Sequence, residues 1–289
     1  MNEAPVAINN DTDPIRHAEA IVRRSGTSFY WAMRSLPAQK RDAMYGVYAF
    51  CREVDDIADE PGEIEVKRLQ LGQWRGEIER LYGGLPRHPI ARALLEPVER
   101  FGLDKQDFRA MIDGMEMDAG SRMRIADIDE LYLYCDRVAC TVGRLSTRIF
   151  GLSDDVGLPL AAAQGLALQL TNILRDIHED AARDRLYLPL DLLRAHGITE
   201  TENLDAVLAN PALPRVCETL GDIAELKFIE ARALIAGCDR RSVRPAVMML
   251  EVYHRVLGKL MRGGWRDISV RVGLSRPMKL WIAFRHGLF

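Results

Sequence analysis

Cysteine is scarce and unpatterned in this sequence. Five residues (Cys51, Cys135, Cys140, Cys217 and Cys238) are scattered with no C-x-x-C pair, which argues against a disulfide framework and a zinc site and points to a reducing compartment. Six histidines carry no H-x-x-x-H spacing. No apolar run approaches the ~18 residues of a membrane span, and the start MNEAPVAINNDTDP lacks the basic and apolar regions of a signal peptide. The expected location is the cytoplasm, with peripheral contact at the inner face of the membrane. Pro/Ser/Gly-rich linkers, low-complexity tracts and internal repeats are missing, so neither a domain split nor a solenoid is supported. Charge of one sign is also lacking: 39 Lys+Arg stand against 42 Asp+Glu, a net charge of -3, and no nucleic-acid partner is expected.

What remains is a 289-residue chain, 48% hydrophobic and 28% charged, with ample material for a core. Its apolar residues recur at three and four, as in Met44, Val47, Tyr48, Cys51 and in Leu166, Leu170, Ile173, Leu174, Ile177. Strand-type alternation is nearly absent, so the fold class is all-α, with roughly ten to twelve helices. Pro37 suits a first turn, Asp104 with Asp107 suits a cap with an acidic first turn, and Gly83-Gly84, Gly151 and Gly197 suit breaks. Residues 1–13 are polar and expected to be disordered, and residues 14–289 are expected to form a single all-α domain.

Two acidic stretches ask for a chemical reason. In Cys51-Arg52-Glu53-Val54-Asp55-Asp56-Ile57-Ala58-Asp59-Glu60, Asp55 and Asp59 lie one turn apart on one helix face with Arg52 a turn earlier. Acid at a helix C-terminus opposes the macrodipole and invites a compensating cation; a solvated helix end before Pro61-Gly62 is the plainer explanation. Further on, Gln169, Asn172, Asp176 and Asp180 recur at three, four and four on an otherwise apolar helix. Burying such a stripe without partners costs several kcal/mol; a bound cation would remove that conflict, and so would a buried hydrogen-bond network between helices. Amide and carboxylate oxygens without Cys or paired His fit Mg²⁺, with Mn²⁺ as a substitute, shared with a diphosphate. The chemistry suggested is ionisation of a carbon–oxygen bond, with Arg52 and Arg175 clamping the oxygens. Aromatic faces such as Phe29, Tyr30, Tyr48 and Tyr134 could then shield a carbocation, although each also suits an ordinary core.

The residues Ser25-Gly26-Thr27-Ser28-Phe29-Tyr30, the stretch Tyr45 to Glu60, Tyr134-Cys135-Asp136-Arg137-Val138-Ala139 with Thr141-Val142-Gly143, and Gln169 to Asp180 followed by Arg185-Leu186-Tyr187-Leu188-Pro189 resemble the squalene/phytoene synthase family over about Ser25 to Lys279. The resemblance implies an isoprenoid-synthase-type helical fold with a central cavity, and Mg²⁺ held by Asp55, Asp59, Asn172 and Asp176, with Asp180 next on the same stripe. It implies catalytic roles for Asp55, Asp59, Tyr134 and Asp176, Tyr134 orienting the donor diphosphate or assisting proton transfer. Ser25, Ser28, Tyr48, Arg52, Gln169, Arg175 and Tyr253 would line the substrate site, with Lys279 a further candidate. The wording is most similar to bacterial members of hopanoid pathways that condense two farnesyl diphosphates head to head into presqualene diphosphate, releasing one diphosphate and needing no NADPH. A phytoene-type reaction on two geranylgeranyl diphosphates, a squalene- or dehydrosqualene-type reaction, a cyclase using a single diphosphate and a non-catalytic diphosphate-binding subunit remain open. Cys140 and its small neighbours are expected on the helix that walls the prenyl channel.

Other features are assigned more plainly. Met115 and Met117, in Asp113-Gly114-Met115-Glu116-Met117-Asp118, suit core filling. Asp154-Asp155 suits a turn or cap, and His178 lies off the acidic stripe. From Arg255 to Phe289, eight Lys/Arg stand against one Asp, with Trp265 and Trp281 among them. This suits either a solvated helix face or docking on an anionic membrane, with hand-over of a greasy product to downstream pathway enzymes.

Overall fold

The computed structural model describes residues 13–27, 29–275, 278, 281–282 and 285. Ser28, Lys279 and residues 1–12 lie outside the described residues. Asp13, which the sequence reading places in the terminal segment, caps α1 (Pro14–Arg24) by accepting from the Ile15 amide.

Apart from two paired dipeptides, the regular structure of the described residues is helical. After α1 come α2 (Phe29–Arg34), α3 (Ala38–Asp59), α4 (Ile64–Tyr82), α5 (Pro89–Phe101), α6 (Lys105–Asp118) and α7 (Ile128–Cys135). A π-helical segment, Asp136–Cys140, joins α7 to α8 (Thr141–Phe150). Then follow α9 (Asp154–Ala181), α10 (Leu190–Ala195), α11 (Leu204–Leu208), α12 (Leu213–Ala236) and α13 (Arg244–Gly263). Strands β1 (Met123–Arg124) and β2 (Arg185–Leu186) pair in parallel, Met123 opposite Arg185.

Local chemistry accounts for many of the boundaries. Pro37 is the N-cap of α3, and Asp104 caps α6 through the Gln106 amide. At α7, Asp127 accepts from the Glu130 amide while Glu130 accepts from the Ala126 amide, a reciprocal arrangement like a capping box. Gly151 ends α8 in the left-handed region at φ 83°, where a side chain would be strained.

Two large apolar clusters form the core. One gathers Phe50, Trp74, Ile78, Leu94 and Phe108 of α3–α6; the other gathers Tyr134, Leu170, Leu174, Leu220, Phe228 and Leu257 of α7, α9, α12 and α13. The 28-residue α9 is the shared axis, packing against α8, α12, α13 and the π segment. Gly165 lets it approach: a Cβ there would stand 2.8 Å from the Cys140 Cα. All five cysteines are free thiols, Cys135, Cys140 and Cys217 buried.

Candidate active site

An apolar cavity of about 210 Å³ runs along α9. Its α9 wall extends from Leu160 and Ala161 to Gln169 and Asn172, so apolar and small residues mark one end and amides the other. Val138, Ala139, Val142, Gly143 and Ser146 of the π segment and α8 form a second wall, with Phe29, Met249 and Tyr253 closing it. The segment on which Cys140 lies thus walls this cavity. Cys140 itself is turned onto α9, its thiol directed at the Ala162 carbonyl at 3.6 Å.

The amide end is polar without being fully satisfied. Asn172 Nδ2 donates to Gln169 Oε1 at 3.3 Å, whereas the buried Asn172 Oδ1 has no hydrogen-bond partner among the described residues. Such an orphan acceptor is costly unless a ligand uses it. On the same stripe, Asp176 is held by Arg175, Nε to Oδ1 at 2.8 Å, and by Arg271 at 2.9 and 3.2 Å.

The C-terminal end of α3 carries the other acids. Asp55 receives Arg52 Nη1 at 3.4 Å, and Arg52 Nε reaches Asp56 at 3.1 Å. Asp59 is clamped by Arg185 at 2.6 Å and Arg183 at 2.8 Å, both from the segment after α9. Burial would raise the Asp59 pKa, but these hydrogen bonds outweigh it and the net shift is downward. Burial, then the negative field of Asp59, raises Asp55 to about 6 against the pull of Arg52. Burial, then Asp176, raises Asp180 to about 7. Among the described residues no three Asp, Glu, His or Cys side chains form a metal cage by themselves; arginines engage Asp55, Asp59 and Asp176.

Asp118, at the end of α6, sits between the two acidic helices and lies within electrostatic reach of Asp55 and Asp180. It is 5% exposed and accepts from Tyr134 at 2.9 Å and Tyr187 at 2.6 Å. Arg185 donates to the Asp118 carbonyl at 3.0 Å and the Ala58 carbonyl at 3.2 Å, binding the ends of α3 and α6 to β2.

Of the residues read from the sequence, Gln169, Asn172, Tyr253 and Phe29 line the cavity. Asp55, Asp59, Arg52, Arg175, Asp176 and Asp180 lie on the acid–arginine stretches of α3 and α9. Tyr134 is directed to Asp118, and Tyr48 packs on Phe29 with ring centroids 6.3 Å apart. Ser25 is exposed and spends its hydroxyl on the Val22 carbonyl at 2.8 Å. Tyr30 stacks on Tyr45 between Arg23 and Arg34. Asp118, Arg183 and Arg271 carry no sequence signal for the site they join, and the contacts of Arg185 and Tyr187 show only in the fold.

The chain matches the squalene/phytoene synthase family model over residues 22–277. It is 45% identical over 263 residues to a presqualene diphosphate synthase of Rhodopseudomonas palustris, covering 91% of this chain and 94% of that one. It is 42% identical over 272 residues to that of Sinorhizobium fredii, covering 94% and 97%. The structure of the squalene synthase HpnC from Alicyclobacillus acidocaldarius superposes with a TM-score of 0.79 at 28% identity, over 87% of this chain and 94% of that one. An apolar cavity with an orphan amide acceptor at its polar end, two acid motifs clamped by arginine, and this kinship in sequence and fold have one explanation: the chain is a member of the squalene/phytoene synthase family.

Proposed function

We propose that this protein is a prenyltransferase that condenses two farnesyl diphosphates head to head, closing a cyclopropane and giving presqualene diphosphate with release of one diphosphate. The observation that carries the reading is the cavity's polarity: an apolar channel ends at Tyr253 of α13 and at Gln169 and Asn172 of α9, the helix that continues to Asp176 and Asp180.

Asp55, Asp59, Asn172, Asp176 and Asp180 would hold Mg²⁺, or Mn²⁺ in its place. The donor set is all oxygen, Asn172 Oδ1 is buried without a partner among the described residues, and Asp55 and Asp180 are carboxyls whose raised pKa a cation would relieve. When bound, the metal neutralises charge on the departing diphosphate. Arg52, Arg175 and Arg271 are placed to take diphosphate oxygens as they exchange carboxylate for phosphate partners. The apolar walls exclude water from a cationic intermediate. Burial holds the Tyr134 phenol well above its usual pKa, so Tyr134 keeps its proton and orients the acid cluster through Asp118. No nicotinamide step belongs to this reading.

Residues 14–289 acting as one domain is part of the proposal, supported by Val138, Leu152 and Ile235, which pack against both large clusters. So is a cytoplasmic placement with peripheral contact to anionic membrane, supported by the basic segment after Arg255 and suited to passing the product to downstream enzymes. Among the described residues no helix is long and apolar enough to cross a membrane.

The test is incubation with farnesyl diphosphate and Mg²⁺, with and without NADPH, followed by product mass. The expected product is a C30 cyclopropylcarbinyl diphosphate in both cases. A C40 triene from geranylgeranyl diphosphate with no C30 product would make it phytoene-forming. Turnover at background with both substrates, unchanged in Asp55→Ala and Asp176→Ala, would make it a diphosphate-binding subunit.

A further inference from the structure

A second cavity, of about 580 Å³, lies between the end of α12 and the start of α13. None of its lining residues lines the catalytic cavity. Four arginines face it, Arg232, Arg240, Arg244 and Arg285, around Ile235, Val243 and Val247. Among the described residues that line it there is no aspartate or glutamate. Arg232 is paired with Glu251 at 3.0 Å and Arg244 is likewise engaged, which leaves Arg240 and Arg285 as the guanidiniums the cavity offers a ligand. The acid of the adjoining turn, Asp239, is engaged by the Ser242 amide and hydroxyl, both at 2.9 Å. Guanidinium groups gathered on an apolar floor repel one another, and their planar forks match phosphate oxygens.

The rim indicates where the phosphate comes from. Trp281 is 44% exposed and Met278 38% exposed. Two guanidiniums, Arg255 and Arg285, lie over the Trp281 ring, each 5.1 Å from its centroid. A soluble anion gains nothing from an exposed indole beside its site, whereas tryptophan flanked by arginine suits the headgroup level of a bilayer. We propose that the Arg232–Arg240–Arg244–Arg285 cavity binds the phosphate of an anionic phospholipid headgroup, with Trp281 entering the interface beside it. This rests on the reading that the basic C-terminal region meets a membrane, and it moves the contact from diffuse charge to a built pocket.

The experiment is co-sedimentation of the full chain with vesicles of phosphatidylcholine alone or with added phosphatidylglycerol. Arg240→Gln/Arg285→Gln is compared with Arg262→Gln/Arg266→Gln, which removes equal charge outside the cavity. Two diffuse charges near the surface account for about 30-fold in partition to the anionic vesicles, the most expected of the control pair, and the cavity variant is expected to lose clearly more, with turnover of soluble farnesyl diphosphate unchanged as the sign of an intact fold. Equal losses in the two pairs, or none in the cavity pair, would overturn the pocket while leaving membrane contact standing. Wild-type protein that stays in the supernatant with anionic vesicles would overturn both. Calorimetric titration with inorganic diphosphate, vesicles absent, is the remaining arm. A binding event lost in the cavity pair, without a change in vesicle partition, would assign the cavity to a soluble anion and overturn the lipid assignment.

Discussion

Tyr134 and Tyr187 donate to opposite oxygens of one buried carboxylate, Asp118, at 2.9 and 2.6 Å, with their rings stacked 4.9 Å apart. Burial is the largest influence on that carboxyl and raises it to about 6, although both phenols and Arg185 favour the charged form. The site therefore keeps an ionisable group where solvation is poor, held by neutral donors in fixed orientation.

Asp118→Asn should separate this group's titration from the rest. A carboxyl raised from 3.8 to about 6 stabilises the fold fully below pH 3.8 and loses that contribution as pH rises through 6, on the order of 3 kcal/mol. Melting temperatures from pH 4 to 7 should show the wild type losing ground against the asparagine variant. Parallel curves would contradict the shift.

Arg271→Gln should lower kcat/KM for farnesyl diphosphate by about 10- to 100-fold, the range of a lost charge-assisted hydrogen bond to phosphate. Steady-state kinetics at saturating Mg²⁺ check it. Unchanged kinetics would mean that the Asp176 pairing is structural only.

Gly165→Ala puts a methyl 2.8 Å from the Cys140 Cα and 2.9 Å from its backbone nitrogen. Backbone cannot swing aside as a side chain can, so a loss of about 1–3 kcal/mol is expected, seen as a lower melting temperature by calorimetry.

Ser146→Phe narrows the end of the cavity remote from Asn172. Turnover of the C15 substrate should fall at least about tenfold relative to the C10 analogue, measured by competition and product mass. Equal effects on both would place the prenyl chain elsewhere.

The helices and the two acidic motifs were legible in the sequence because period and spacing are local properties. Asp118 was not: with Asp113 and Glu116 it forms no single-face stripe, and its partners Tyr134 and Tyr187 lie 16 and 69 residues away. Arg271 counted only as charge in a basic segment, since its link to Asp176 spans 95 residues. The β1–β2 pair is two residues on each side, too short for alternation to register. Ser25 shows the converse: its place in a family motif was legible, but its hydroxyl's bond to its own helix was not.

The wide turn at Asp136–Cys140 sets a rotational phase. Upstream, Tyr134 faces Asp118; downstream, Val142 and Ser146 face the prenyl cavity. The wide turn takes up one residue more than an α-turn, so winding the same residues as an ordinary α-helix would rotate everything after it by about 100°. The two faces are therefore aligned by the backbone conformation of this segment, and a change that favoured regular α-helix there would turn the cavity wall away while leaving every wall residue in place.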